Sequence, residues 1–326
     1  MSDEKKETNK GSITVLDGGF SSQISRYDKS FDGHPLWSSL FLSKNPELVF
    51  ETHLDYLRVG ADIITTNTYQ ASIGGFKKYL DENLTEEQCI ELIERAVKLA
   101  KEARDFYEKE REFKEEKDKK ILIAGSVGPY GASLHDGSEY NGSYIHNVSS
   151  DEMKQWHKPR IQALVRAGVD LLAFETMPAS KEVEILIKIL KKYPTMKAWV
   201  SFSCKDGMHT NFGENFQDVA RKCYNMNPDQ IIAVGVNCTK PEYVESLFKD
   251  FNTGKKEPIP LIVYPNSGET YDAEKGWINK GECKPIESYV HTWIKLGVKY
   301  IGGCCRTYDE NIGSIRKEVD RCMEEQ

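Results

Sequence analysis

The sequence predicts a single α/β domain folded as a (β/α)8 TIM barrel. Eight short apolar runs have the character of strands, helical patterns fill the intervals between them, and 326 residues suffice for eight such units. The runs lack polar–apolar alternation, as strands buried on both faces do. Strands separated by helices run parallel through crossover connections. An open doubly wound sheet is disfavoured because no GxGxxG fingerprint follows the first run. Gly125, Gly128 and Gly131 are spaced differently and enclose Pro129, so they read as a strand-to-loop corner. The domain is expected to span 12–326, with 1–11 a disordered tail.

The first strand is expected at 13–19. A helix over 46–60 follows, with Leu48, Val49, His53, Tyr56 and Leu57 at helical spacing. The second strand is placed at 62–69. The second helix, 85–111, opens on Thr85-Glu86-Glu87-Gln88, the pattern of a capping box. Strands at 121–129, 171–178, 197–204, 231–238, 260–267 and 299–305 complete the set. Helices at 150–168, 180–193, 215–225, 241–251, 286–297 and 310–322 separate or follow them. Gly60, Gly168 and Gly297 sit where helices should stop. The mixed-charge run 107–120 reads as a solvated helix end and loop. Residues 131–149 and 268–285 read as long loops after the third and seventh strands, where barrels cover their active sites.

Composition narrows the function. A net charge of −7 with no basic cluster argues against a nucleic-acid partner. No apolar run approaches the ~20 residues of a membrane span, and the first residues, MSDEKKETNKGS, lack the apolar stretch of a signal peptide. A cytoplasmic location is expected, with the eight cysteines mostly reduced. Cys89, Cys223 and Cys322 fall in helical patterns and read as small buried thiols.

The unusual residues gather at the ends of the strand runs, where a barrel places its chemistry. Cys304 and Cys305 stand behind Gly302 and Gly303 at the end of the eighth run, and Cys238 ends the sixth. The two strands flank the seventh, so three thiols converge despite their separation in sequence. Three thiolates with one open position describe a zinc site that does chemistry rather than a closed structural one. Such a centre is a weak Lewis acid, suited to holding a substrate thiolate. Asp17 and Glu175, ending the first and fourth runs, suit an α-ammonium group, and the Gly18 and Gly19 amides a carboxylate.

These motifs resemble the homocysteine S-methyltransferase family: LDGG (16–19), GAD and TNTYQAS (60–72), GSVGPYG (125–131), FET (174–176), GVNC (235–238), YPNSGE (264–269) and GGCCRT (302–307). They cover nearly the whole chain in order. The resemblance implies a zinc ion held by Cys238, Cys304 and Cys305, with the thiolate of homocysteine completing its sphere. It implies that Asp17, Gly18, Gly19 and Glu175 bind the amino acid and that Thr66 and Tyr69 line the acceptor pocket. The segment His34-Pro35-Leu36-Trp37 and YPNSGE are similar to the stand-alone enzymes that use S-methylmethionine. Trp37, Tyr130, Tyr264 and Asn266 are therefore the candidates for the cationic methyl donor. S-adenosylmethionine or betaine as donor, a selenol such as selenocysteine or selenohomocysteine as acceptor, and a non-catalytic zinc or thiol sensor are the alternatives. Where betaine enzymes carry a tyrosine, this chain has Gln70. Oligomeric state is left open.

Overall fold

The computed structural model describes residues 12–114, 120–272, 276–279 and 281–325; the expected tail at 1–11 lies outside the described residues. Eight parallel strands form one sheet: β1 (Thr14–Val15), β2 (Ile63–Thr65), β3 (Leu122–Val127), β4 (Leu171–Met177), β5 (Lys197–Phe202), β6 (Ile231–Asn237), β7 (Leu261–Tyr264) and, after a hairpin, β10 (Val298–Ile301). Their order is β1-β10-β7-β6-β5-β4-β3-β2. A parallel bridge between Leu16 and Ile63 joins the two ends. Around it Asp62 N donates to Val15 O (2.7 Å) and Asp17 N to Ile63 O (3.0 Å). The result is the (β/α)8 barrel.

The helices between strands are α3 (Pro46–Arg58), α5 (Glu86–Phe113), α6 (Ser150–Arg166), α7 (Ser180–Leu190), α8 (Phe216–Met226), α9 (Val244–Phe248), α10 (Val290–Lys295) and α11 (Asp309–Glu324). The capping box at Thr85 forms as expected: Gln88 N donates to Thr85 Oγ1 (3.2 Å) and Thr85 N to Gln88 Oε1 (2.8 Å). Three short helices went unpredicted: α1 (Phe20–Ile24), α2 (Phe41–Lys44) and α4 (Ile73–Tyr79). Each is too short for a clear hydrophobic period, and Gly74-Gly75 inside α4 reads as a breaker. The expected loop 268–285 contains an antiparallel hairpin, β8 (Thr270–Asp272) with β9 (Gly276–Ile278). The third loop, 131–149, carries short 3₁₀ turns.

Two apolar layers result. Leu172, Phe174, Val200 and Val236 point outward and meet the helices. Leu16, Ala124, Leu171, Ala173, Trp199, Ala233, Ile262 and Tyr264 fill the barrel interior. The alternation along β4 and β6 follows from successive side chains facing opposite sides of a strand. Alanines on β3, β4 and β6 leave the volume that the Trp199 and Tyr264 rings occupy. Gly235 is required on β6 because a side chain there would overlap the backbone carbonyl of Ile262 on β7. Neither strand moves without breaking its ladder. Gly235→Ala is expected to cost about 3 kcal/mol or more in a urea titration; a change within ~0.5 kcal/mol would show that the strands have slack.

Candidate active site

A cavity of about 670 Å³ opens at the C-terminal ends of the strands, lined among others by Asp17, Thr66, Glu175, Asn237, Cys238, Cys304 and Cys305. The Sγ atoms of Cys238, Cys304 and Cys305 all lie within 4.8 Å of one another, with Cys238 and Cys305 3.7 Å apart. Four ligands set tetrahedrally at ~2.3 Å from zinc would be about 3.8 Å apart. The sulfurs of Cys238 and Cys304 are joined as a disulfide. The cysteines were expected to be mostly reduced, and six of the eight are free; the Cα atoms of this pair are 5.4 Å apart, within bridging range. Burial raises the remaining thiol, Cys305, to about 11, while a hydrogen bond from Tyr140 lowers it.

Asn237, one residue before Cys238, holds the strand ends in place. Its Oδ1 accepts from Thr176 N (2.7 Å) and Ser201 Oγ (2.8 Å), and its Nδ2 donates to Thr176 Oγ1 (2.7 Å) and faces Cys304 Sγ (3.8 Å). Thr176, Cys238, Arg306 and Trp37 adopt left-handed backbone, with φ of 58°, 47°, 63° and 45°. All four line the cavity. Such backbone costs on the order of 1–3 kcal/mol per residue and persists only where its surroundings hold it. Here it turns Cys238 off the axis of β6 toward Cys304 and Cys305.

Two carboxyl groups face the same space. Asp17 accepts from Thr65 N (2.6 Å) and Thr65 Oγ1 (2.9 Å). Burial pushes its carboxyl up to about 8, the Thr65 bonds opposing. Glu175 is also raised, by burial first, although Ser126 Oγ and the Tyr264 hydroxyl both donate to it. Thr66 bonds Thr68 (2.7 Å) and accepts from Ser126 N (3.0 Å), and Thr66 and Tyr69 form one wall.

Of the expected donor residues, Trp37 and Tyr264 line the cavity. The Tyr264 hydroxyl bonds Ser201 (2.5 Å) and Trp199 (2.8 Å), so Tyr264 sits at the floor. Tyr130 lies elsewhere. It packs on Trp156 and Tyr144, with ring centroids 5.3 and 5.8 Å away, and donates to Glu152 (3.1 Å) because Pro129 turns the chain outward. Asn266 is not on the wall either; its Oδ1 caps Gly268 N (2.9 Å) in the turn after β7. The Gly19 amide is already taken by Thr307, through its carbonyl (3.0 Å) and hydroxyl (3.2 Å), so of the glycine pair only the Gly18 amide is left for a carboxylate. Asn237, Trp199 and Tyr140 were given no role in the site from the sequence. Asn237 was legible as the polar residue of GVNC, whereas Tyr140 carries no local signal.

Residues 14–319 match the protein family described as homocysteine S-methyltransferase. The chain belongs to that family. It is 45% identical over 317 residues to a betaine-homocysteine S-methyltransferase of Drosophila melanogaster, covering 94% of each chain. It is 41% identical to homocysteine S-methyltransferase 1 of Arabidopsis thaliana, over 95% of this chain and 94% of that one. It superposes on the crystal structure of the metallated homocysteine methyltransferase MmuM of Escherichia coli with a TM-score of 0.81 and 36% identity, over 94% and 96% of the two chains. A family member of this kind is a methyltransferase. Its three-sulfur cluster, once reduced, suits a soft metal ion by donor type and spacing.

Because the folded pKa of Asp17 lies above its ordinary 3.8, the folded chain keeps a proton that the unfolded chain releases. The contribution of Asp17 to stability therefore falls as pH rises from 3.8 to about 8 and flattens above that. Asp17→Asn is expected to make the curve shallower across this window. Parallel urea titrations of the two proteins decide it, and an identical slope in the variant refutes the assignment.

Proposed function

We propose that this methyltransferase moves a methyl group from S-methylmethionine to homocysteine, with zinc as its resident metal, giving two molecules of methionine. The observation that carries the reading is the convergence of three cysteine sulfurs and two buried carboxyls on one cavity. Cys238, Cys304 and Cys305 would hold the zinc, leaving one position open. When bound, the metal would supply a Lewis acid that lowers the pKa of an acceptor thiol, so that the thiol releases its proton to solvent at a pH where a free thiol stays largely protonated.

The protein's part is binding and alignment. Asp17 and Glu175 would receive the α-ammonium of homocysteine, and a cation beside them favours their ionised forms against the burial that now raises both. The Gly18 amide would receive the carboxylate, and Thr66 and Tyr69 the side of the chain. Trp37 offers the sulfonium a ring face, worth ~0.5–2 kcal/mol where the two meet. In the transfer, the donor's S–CH₃ bond breaks as the acceptor's forms, and the leaving group departs as a neutral thioether. No general acid is needed, so holding the two sulfurs in line supplies much of the rate.

Betaine is the second reading for the donor, favoured by the name of the Drosophila relative. Small-molecule substrates and a reducing cytoplasm are consistent with ligand thiols that a disulfide would remove from the metal. No described helix is long and apolar enough to cross a membrane.

Cys304→Ala, assayed under thiol reductant, is expected to lose bound zinc and to slow methionine formation by more than about 100-fold. Full activity without zinc would sink the mechanism. Given S-methylmethionine, S-adenosylmethionine and betaine together, each with a distinct methyl label, the parent protein should load methionine chiefly from the first. Label chiefly from betaine would replace the donor assignment.

A further inference from the structure

Arg160, on the cavity-facing end of no strand, is 1% exposed and belongs to α6, behind the cavity wall. Among the described residues no carboxylate lies within ion-pair distance of it. Its guanidinium donates instead to three backbone carbonyls, those of Tyr69 (2.7 Å), Gly128 (2.6 Å) and, more weakly, Thr68 (3.4 Å). It also donates to His157 Nδ1 (3.0 Å) and lies 4.6 Å from the Trp156 ring centroid. With Nδ1 accepting, His157 keeps its proton on Nε2 and donates to Glu182 Oε1 (2.7 Å). Glu182 is wholly buried and also receives Tyr130 N (2.6 Å) and the Tyr144 hydroxyl. The cation and the anion are thus separated by one neutral imidazole, whose own pKa burial lowers.

A buried guanidinium is costly, and a leucine or methionine would fill the same volume. What an apolar side chain lacks is the planar fork, which spans carbonyls of the segments that follow β2 and β3 at once. A second observation falls on the same spot. A Cβ at Gly128 would lie 2.5 Å from Cδ2 and Cε2 of Tyr69, so the Tyr69 ring rests directly on the Gly128 backbone. Both the backbone and the ring of Tyr69 are therefore referenced to Gly128, and Arg160 holds the two together.

We propose that Arg160 is a positioning residue of the methyltransferase: from behind the wall it sets the separation of the Tyr69 and Gly128 backbones, and so the surface that segment 66–70 presents to the acceptor. The inference rests on the placing of Thr66 and Tyr69 in the acceptor wall. His157 and Glu182 serve it by fixing the orientation of the fork.

The test uses Arg160→Lys, whose ammonium reaches one carbonyl but cannot fork, and Gly128→Ala, which pushes the Tyr69 ring directly. Both are compared with the parent as full-length, zinc-reconstituted proteins. Expected are faster amide hydrogen exchange across 66–72 with unchanged exchange in α5, and a KM for homocysteine raised about 10-fold while kcat changes by less than ~3-fold. The two substitutions act on one contact, so the double variant should fall short of the product of the singles. Thr85→Ala, a destabilising change at a distant helix cap, should leave KM alone. Unchanged exchange at 66–72 overturns the inference whatever the activity, and so does an unchanged KM in folded Arg160→Lys. Should that variant not fold, Gly128→Ala alone decides by the same two readouts. A parent that moves no methyl group to homocysteine fails the earlier reading instead, and the exchange measurement still judges this one.

Discussion

The side-chain amide of Asn237 is the contact on which the site depends. It lies at the end of β6 and reaches Thr176 near the end of β4, Ser201 on β5 and the sulfur of Cys304 after β10. Four strand ends are tied by one buried group. Each of its hydrogen bonds is modest in net terms, about 1 kcal/mol, but leaving any partner unmade in this dry interior costs more than that. The left-handed backbone at Thr176 and Cys238 persists under this clamp.

The electrostatics follow from the same burial. Asp17 and Glu175 sit where water is scarce, so both hold protons more tightly than exposed carboxyls do. Burial opposes the ionisation of both carboxyls, and a cation placed beside them would favour their charged forms. The three sulfurs impose a different condition. They bind a metal only as thiolates, whereas Cys238 and Cys304 close on each other when oxidised. Metal loading and disulfide formation therefore exclude each other.

Much of this was legible along the chain. Short apolar runs alternating with helical periods fixed the barrel, because a strand buried on both faces and an amphipathic helix leave unmistakable patterns. The positions of Cys238 and Cys304-Cys305 at strand ends were readable for the same reason: the barrel rule puts strand ends on one face. Helices α1, α2 and α4 were not, since one or two turns carry no period. Tyr130 was misjudged because its placement depends on which way the chain leaves β3, and Asn266 because a turn consumed its side chain. Gly19 has the flexible, open character of a carboxylate cradle in sequence, yet Thr307, 288 residues away, fills it.

By itself, the sequence determined the element order, the parallel topology and the chemical types available at the strand ends. These depend on local period and composition, which neighbours in the chain carry. Tertiary structure alone decided which of those groups share a cavity and how they are held. Asn237 reaching three other strands, the Asp17 carboxyl turned on Thr65, and Arg160 gripping Tyr69 and Gly128 from α6 are contacts between residues far apart in sequence. Such contacts are set when the barrel closes and water is excluded, and no local pattern encodes them.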